Sequence, residues 1–168
     1  MSRFRCLSLV GLLVCCGLLA GAAWLQLGLE LEPCPLCALQ RVVVLILAVL
    51  LLLAFLHHPA GWGQRVYGVL VALVSGLGAL VAGRHVWLQH LPAERIPECG
   101  PGLEFILAAF PLSDAIALIF KGSGECAEVV WRFLGLSIPE WTLLAFAGFV
   151  IGGLLGSLLP ARGAGERG

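Results

Sequence analysis

The stretch Cys34-Pro35-Leu36-Cys37-Ala38-Leu39-Gln40-Arg41 stands where one apolar span has ended and a second begins. Proline is tolerated in the first turn of a helix and fixes its own φ there, so Cys34 is the predicted N-cap and Pro35 the first helical residue. Cys37 would then face free backbone N–H groups and the positive end of the helix dipole. Arg41 follows Cys37 at i+4, on the same helical face. A helix start and a nearby cation stabilise a reactive thiolate, so the stretch predicts a redox pair.

The same two cysteines have other uses. A Cys-X-X-Cys element also suits a structural disulfide or half of a zinc site, and the spacing alone does not separate these from electron transfer. A c-type haem attachment is excluded because Ala38, not histidine, follows Cys37.

The composition is that of a membrane protein. Of 168 residues, 60% are hydrophobic and only 12% are charged, whereas a soluble chain carries about 25% charged residues. The formal net charge is zero, and no basic patch with interleaved aromatic residues is present, which argues against a nucleic-acid partner.

Four apolar segments, at about 6–25, 39–56, 66–82 and 141–159, are long enough to cross a lipid bilayer as helices. The first could instead be a signal peptide cleaved near Ala20-Gly21-Ala22, although its apolar run is longer than a usual signal core. We therefore expect an all-α membrane protein in which residues 1–168 form a single four-helix bundle.

A long segment, 84–140, separates the third and fourth spans. Within it Leu103–Phe120 is apolar, but Glu104, Pro111 and Asp114 argue against a fifth crossing. A charge at bilayer depth costs at least ~2.5 kcal/mol even on the gentler insertion scale. The segment is therefore predicted to be a broken amphipathic helix lying at the membrane interface.

Charge placement predicts the orientation. One side of the membrane would carry only one acidic residue, Glu166, while nine of the ten acidic residues would lie on the other side. The basic residues predicted on the same side of the membrane as Glu166 are Arg3, Arg5, Arg65, Arg162 and Arg167. The positive-inside rule then places both termini in the cytoplasm and the loops 26–38 and 84–140 outside.

The seven cysteines fall into two groups. Those in the first apolar segment, where a cysteine usually packs as a small apolar residue, are Cys6, Cys15 and Cys16. Those on the outer face are Cys34, Cys37, Cys99 and Cys126. Two cysteine pairs on one face suit thiol exchange, in which a loop pair meets a soluble dithiol and passes electrons to an anchored pair. The terminal acceptor beside Cys37 should then be lipid-soluble.

These features together resemble the disulfide bond formation protein B (DsbB) family. The likeness rests on the four spans, the Cys-X-X-Cys that opens the second with Arg41 four residues on, Cys99 and Cys126 in the second outer loop, and Gly124-Glu125-Cys126-Ala127-Glu128 followed by Trp131. The resemblance implies a dithiol:quinone oxidoreductase of the bacterial inner membrane with periplasmic catalytic loops. Its implied cofactor is ubiquinone or menaquinone from the membrane pool, and its implied partner is a DsbA-type thioredoxin-like oxidase.

The resemblance also implies a role for each cysteine of the outer face. Cys99 and Cys126 would form the disulfide that reoxidises the DsbA-type partner, with Cys99 taking the mixed disulfide. Cys126 would then pair transiently with Cys34, which frees Cys37 as a thiolate against the quinone ring.

Two further residues gain a role only through the resemblance. Arg41 would stabilise the Cys37 thiolate and the quinone anion, and His85 matches a histidine placed near the quinone. Judged alone, Arg41 is a helix-end arginine that reaches toward lipid headgroups, and His85 is an interfacial polar residue.

The main rival is a membrane scaffold with structural disulfides or a four-cysteine zinc site and no turnover. Cys99 and Cys126 have 26 residues between them and lack usual zinc spacing, so no metal is expected. A second rival is the quinone oxidoreductase class resembling vitamin K epoxide reductase, in which the quinone-side Cys-X-X-Cys follows the loop pair, the reverse of the order here.

Overall fold

The computed structural model describes residues 3–28, 30, 33–97 and 103–158. Its helices are α1 (Arg3–Gly28), α2 (Pro35–His57), α3 (Trp62–Gln89), α4 (Leu103–Ala109), α5 (Leu112–Lys121) and α6 (Ile138–Leu158). Four of them, α1, α2, α3 and α6, are long and apolar enough to cross a membrane. The expectation of an all-α membrane protein built on four long helices is confirmed.

Helix α2 begins as the sequence predicts. Cys34 is the N-cap in extended conformation, Pro35 is the first helical residue, and the backbone N–H of Cys37 donates to Cys34 Sγ over 3.4 Å. The sulfur thus satisfies a donor that the helix leaves unpaired. The cap fixes both cysteines at the same end of the bundle, which we call the thiol end.

The bundle is held at its other end by glycine contacts between α3 and α6. A Cβ added to Gly68 would lie 2.7 Å from the carbonyl oxygen of Gly153, and a Cβ added to Gly153 would lie 2.7 Å from that of Gly68. Only glycine permits this approach of two backbones, as in small-residue packing between membrane helices. We call this contact the glycine seam.

The long loop folds over the thiol end. Helices α4 and α5 are broken around Phe110 and Pro111, as predicted, and neither is long enough to cross a membrane. Ala115 and Ile119 of α5 are buried in an apolar cluster with Leu36 of α2. A 3-10 helix, Gly124–Cys126, then brings Cys126 into the same cluster. The interfacial location of α4 and α5 stays a prediction.

A short hairpin that the sequence analysis did not predict leads into α6. Strands β1 (Arg132–Phe133) and β2 (Leu136–Ser137) pair antiparallel, and the turn residues Leu134 and Gly135 have φ of 51° and 84°. Two successive positive φ values match the tight turn that suits strand twist. Strands of two residues are too short to show an alternation of apolar and polar side chains, and leucine is not a typical turn residue. The hairpin therefore could not be predicted from the sequence.

Candidate functional site

The thiol end holds Cys34 and Cys37 side by side as two thiols. Their sulfurs lie 3.2 Å apart, and both side chains are partly exposed. A disulfide would bring the sulfurs to about 2.05 Å. Closing the bond therefore needs only a small movement within one helical turn.

His85 of α3 lies against both thiols. Its Nε2 is 3.7 Å from Cys34 Sγ, its Nδ1 is 4.0 Å from Cys37 Sγ, and the side chain is only 2% exposed. His85 is therefore buried inside the bundle, and its level at the membrane interface stays a prediction. Helix α3 continues past the predicted span to Gln89, which carries His85 into the bundle instead of leaving it in a loop.

A chain of buried polar groups supports this histidine. Gln40 Nε2 lies 3.2 Å from His85 Nδ1, and the Thr142 hydroxyl donates to Gln40 Oε1 over 2.5 Å. An amide nitrogen only donates, so Nδ1 accepts and the ring proton lies on Nε2, toward Cys34. The sequence analysis missed both supporting residues. The available signal was Gln40 itself, since a polar side chain in an apolar span is a functional candidate by default.

Arg41 joins α2 to the end of α1. Its Nη1 donates to Gln26 Oε1 over 2.5 Å and its Nη2 donates to the carbonyl oxygen of Ala22 over 3.1 Å. The guanidinium and Cys37 line the same cavity, as expected for residues on one helical face. Two of the five guanidinium N–H donors are engaged in these bonds.

Cys126 is completely buried beside Cys34. Ser123 Oγ lies 3.9 Å from its sulfur, and Cys34 packs against the apolar cluster in which Cys126 is buried. The hydrogen bond with Cys34, together with burial, raises the pKa of the Cys126 thiol above its ordinary value. Cys99, the other predicted loop cysteine, lies outside the described residues.

An apolar cavity of about 320 Å³ opens on one side of Cys37. Helices α1, α2 and α6 and the hairpin surround it. Its aromatic wall is formed by Trp24, Trp131, Phe133 and Trp141. Its polar lining, apart from the thiol, consists of Gln40, Arg41 and Thr142 among the described residues. Such a mixture of apolar wall and few convergent polar groups is typical of small-molecule sites.

A polar cleft of about 690 Å³ opens on the other side of the thiols. Cys34, Cys37 and His85 line it, and its charged residues within the described ranges are Glu125 and Glu128, both exposed. Cys34 lines only the polar cleft, while Cys37 lines both spaces. The thiol pair therefore forms part of the wall between an apolar and a polar compartment.

The chain is similar to known proteins over most of its length. A family model described as Disulfide bond formation protein DsbB matches residues 4–156. Disulfide bond formation protein B of Nitrosococcus oceani is 53% identical over 137 residues, covering 82% of this chain and 81% of the relative. The protein of the same name from Methylococcus capsulatus is 51% identical over 140 residues, covering 83% and 85%.

A third relative, Disulfide bond formation protein B of Marinobacter nauticus, is 51% identical over 142 residues, covering 84% of each chain. Four helices able to cross a membrane accompany these matches. The chain therefore belongs to the disulfide bond formation protein B (DsbB) family, as a multi-pass membrane protein and oxidoreductase of disulfide bond formation.

Proposed function

We propose that the protein is a dithiol:quinone oxidoreductase that reoxidises a DsbA-type thioredoxin-like oxidase. Electrons pass from the partner through Cys99 and Cys126, then through Cys34 and Cys37, to ubiquinone or menaquinone of the membrane pool. The proposal places the protein in a bacterial inner membrane, with both termini cytoplasmic and the catalytic loops in the periplasm.

One observation carries this proposal: the two thiols of one pair face different surroundings. Cys34 lines the polar cleft, whereas Cys37 also lines the apolar cavity. A soluble dithiol can be served only from a polar side and a lipid-soluble acceptor only from an apolar one. The pair is thus built to connect the two.

The apolar cavity fits the ring of a quinone. A volume of about 320 Å³ lies within the range of about 300–1,000 Å³ for small-molecule pockets. Aromatic side chains favour stacking with a planar ring. The cavity is also lined by α1, α2 and α6, which are long and apolar enough to span a membrane and so to lie beside the lipid that carries the quinone. A bound quinone supplies an acceptor for two electrons and two protons.

The position of Cys126 supports the exchange between the two pairs. In the proposed step the Cys126 thiolate attacks Cys34 Sγ of the Cys34–Cys37 disulfide, the bond between Cys34 and Cys37 breaks, and the electron pair leaves on the Cys37 sulfur. Cys126 is buried in the apolar cluster against which Cys34 packs, so the attacking and the attacked residue lie in the same part of the thiol end. The thiolate released at Cys37 then borders the apolar cavity.

A guanidinium and an imidazole N–H can stabilise the thiolates formed during the reaction. Arg41 lines the cavity with Cys37, and its guanidinium provides a positive charge and N–H donors for an anion formed there. His85 directs its Nε2 proton toward Cys34 and so stabilises a thiolate at that sulfur. Gln40 and Thr142 act as positioning residues because they hold the ring nitrogen that faces away from Cys34.

The experiment that tests this function is quinone reduction by the purified membrane protein in the presence of a reduced DsbA-type dithiol. We expect quinone to be reduced one for one with oxidation of the dithiol, and Cys37→Ser to stop both. Dithiol oxidation that continues without quinone reduction would overturn the proposal, as would full activity of Cys37→Ser.

A further inference from the structure

We propose that Cys34, Cys37 and His85, when both cysteines are reduced, form a three-ligand site for a thiophilic divalent cation such as Zn²⁺, and that the bound cation blocks electron transfer. The blocking rests on the function proposed above, whereas the binding does not. This site differs from the permanent zinc site of a structural scaffold, because it exists only while both cysteines are reduced.

The three ligand groups are already close enough to share one ion. Both sulfurs and a nitrogen of the histidine ring lie within 4.8 Å of one another. The closest pairs are 3.2 Å between the sulfurs and 3.7 Å between Cys34 Sγ and His85 Nε2. Zinc with bonds of about 2.3 Å to sulfur and about 2.0–2.1 Å to nitrogen keeps tetrahedral ligands about 3.6–3.8 Å apart. Shifts of up to about 1 Å therefore complete the site.

The groups behind His85 allow it to become a ligand. A metal-bound imidazole uses one nitrogen for the ion and donates the N–H of the other to a neighbouring acceptor. Rotation of the Gln40 amide by half a turn would present Oε1 to His85 Nδ1 and release the Nε2 lone pair. Thr142 can follow this rotation because its hydroxyl also bonds to the carbonyl oxygen of Pro139 at 3.0 Å.

The polar cleft gives a cation a path to these ligands. The cleft is lined by all three ligand residues and by the carboxylates of Glu125 and Glu128. A cleft whose charges share one sign raises the local concentration of the opposite ion. Water or a further group from the cleft can fill the fourth coordination position, as in zinc sites with three protein ligands.

The redox state of the pair controls the site. Thiolates bind the cation, and two thiols that bind one Zn²⁺ release two protons, with no change in oxidation state. A Cys34–Cys37 disulfide offers no thiolate, so the oxidised protein loses two of the three ligands. When a cation is bound, the sulfur lone pairs are coordinated to the metal and are not available for transfer to the quinone.

The test uses the full-length purified protein, freed of quinone, in separate reduced and oxidised samples titrated with Co²⁺ as a spectroscopic probe. We expect one Co²⁺ per reduced chain, sulfur-to-metal charge-transfer absorption, displacement by Zn²⁺, and no such signal from the oxidised sample. Equal binding to both samples, or none to the reduced one, overturns the proposal without any variant.

Variants then identify the ligands. Losing even a supporting partner of a metal ligand costs about 10–100-fold in affinity, so His85→Ala should weaken Co²⁺ binding at least about tenfold. The matched control is His90→Ala, since His90 caps the C-terminus of α3, five residues after His85, and its Nδ1 bonds to the Val86 carbonyl oxygen at 2.8 Å. Equal affinities in these two variants would remove His85 from the site.

A third arm separates this inference from the proposed function. Zn²⁺ should halt the reoxidation of the reduced protein by quinone, and a chelator should restore it. Zinc binding with unchanged quinone reduction would overturn the blocking role. Failure of quinone reduction without any metal would instead contradict the proposed function and leave the binding result intact.

Discussion

The thiol end and the glycine seam bury opposite kinds of groups. At the thiol end the bundle buries polar side chains, His85 at 2% exposure and Gln40 at 4%. At the seam it buries backbone, because Gly68 and Gly153 bring α3 and α6 into direct contact. The first region buries polar side chains, and the second brings two backbones together at residues that have no side chain.

The thiol end orients the reacting side chains, whereas the glycine seam holds the helices together. A buried polar network orients its members strongly when every hydrogen bond is made, yet it adds little net stability. Close helix packing gives dispersion contacts and no chemistry. Substitutions at the thiol end should therefore change rates in a folded protein, while substitutions at the seam should change the folded fraction.

The largest effect is expected at the thiol end, from Cys37→Ser. Removing a reacting sulfur that has no substitute should lower quinone reduction at least about a thousandfold, while the thermal midpoint in detergent changes little. Steady-state quinone absorbance measures the rate. Cys16→Ser, at an exposed position in α1, is the control and should retain wild-type activity.

If the Cys37→Ser protein kept more than a tenth of the wild-type rate, another residue would be supplying the electrons. The claim that the thiol end controls the rate through Cys37 would then fail.

The seam should respond in stability. Gly153→Ala puts a Cβ 2.7 Å from the carbonyl oxygen of Gly68, and such overpacking costs about 1–3 kcal/mol. Thermal or denaturant unfolding in detergent measures the loss, and the rate per folded molecule should not change. Gly148→Ala is the matched control, since a Cβ there meets no atom within 4 Å. Equal stabilities of these two variants would contradict the claim that the glycine seam stabilises the bundle.

A smaller effect is expected from the guanidinium that lines the apolar cavity. Arg41→His should raise the apparent KM for quinone about tenfold, the value of one charge-assisted hydrogen bond. Gln26→Leu keeps the charge and removes one of the two partners of Arg41 on α1, so it should raise KM less. Quinone titrations at a fixed dithiol concentration measure both. Unchanged quinone kinetics in Arg41→His would refute its assigned role.

The smallest effect is expected from the group farthest from the sulfurs in the polar chain. Thr142→Val removes the hydroxyl that holds the Gln40 amide, and one hydrogen bond contributes about 0.5–1.5 kcal/mol. We expect kcat to fall about 2- to 10-fold, because the Gln40 amide then no longer holds the His85 ring in one orientation.

Thr142→Ser keeps the hydroxyl and should restore the rate. If Thr142→Val and Thr142→Ser behave alike, the hydroxyl does not position His85.

Local signals predicted most of the fold. Apolar runs of 17 to 20 residues predicted the four long helices, and Cys34 followed by Pro35 predicted the start of α2. Pro111 and the charges near it gave the broken helix in the loop. Each of these features depends on residues adjacent in sequence, which is why they could be predicted without contacts.

The polar support of the site could not be predicted in this way. Thr142 lies 102 positions from Gln40, and His85 lies 45 positions from it. Neither spacing carries a periodic signal, so only the packing of α2, α3 and α6 brings these residues together. The same holds for the division between the apolar cavity and the polar cleft, which depends on the α1 and hairpin positions.

The most direct measurement is a single turnover without oxygen. Fully reduced, quinone-free protein is mixed with one equivalent of quinone, and disulfides are then mapped by mass spectrometry. The proposed function predicts one quinone reduced per chain and a new disulfide that includes Cys34, either with Cys37 or with Cys126. No quinone reduction, or a new disulfide confined to Cys6, Cys15 and Cys16, would contradict it.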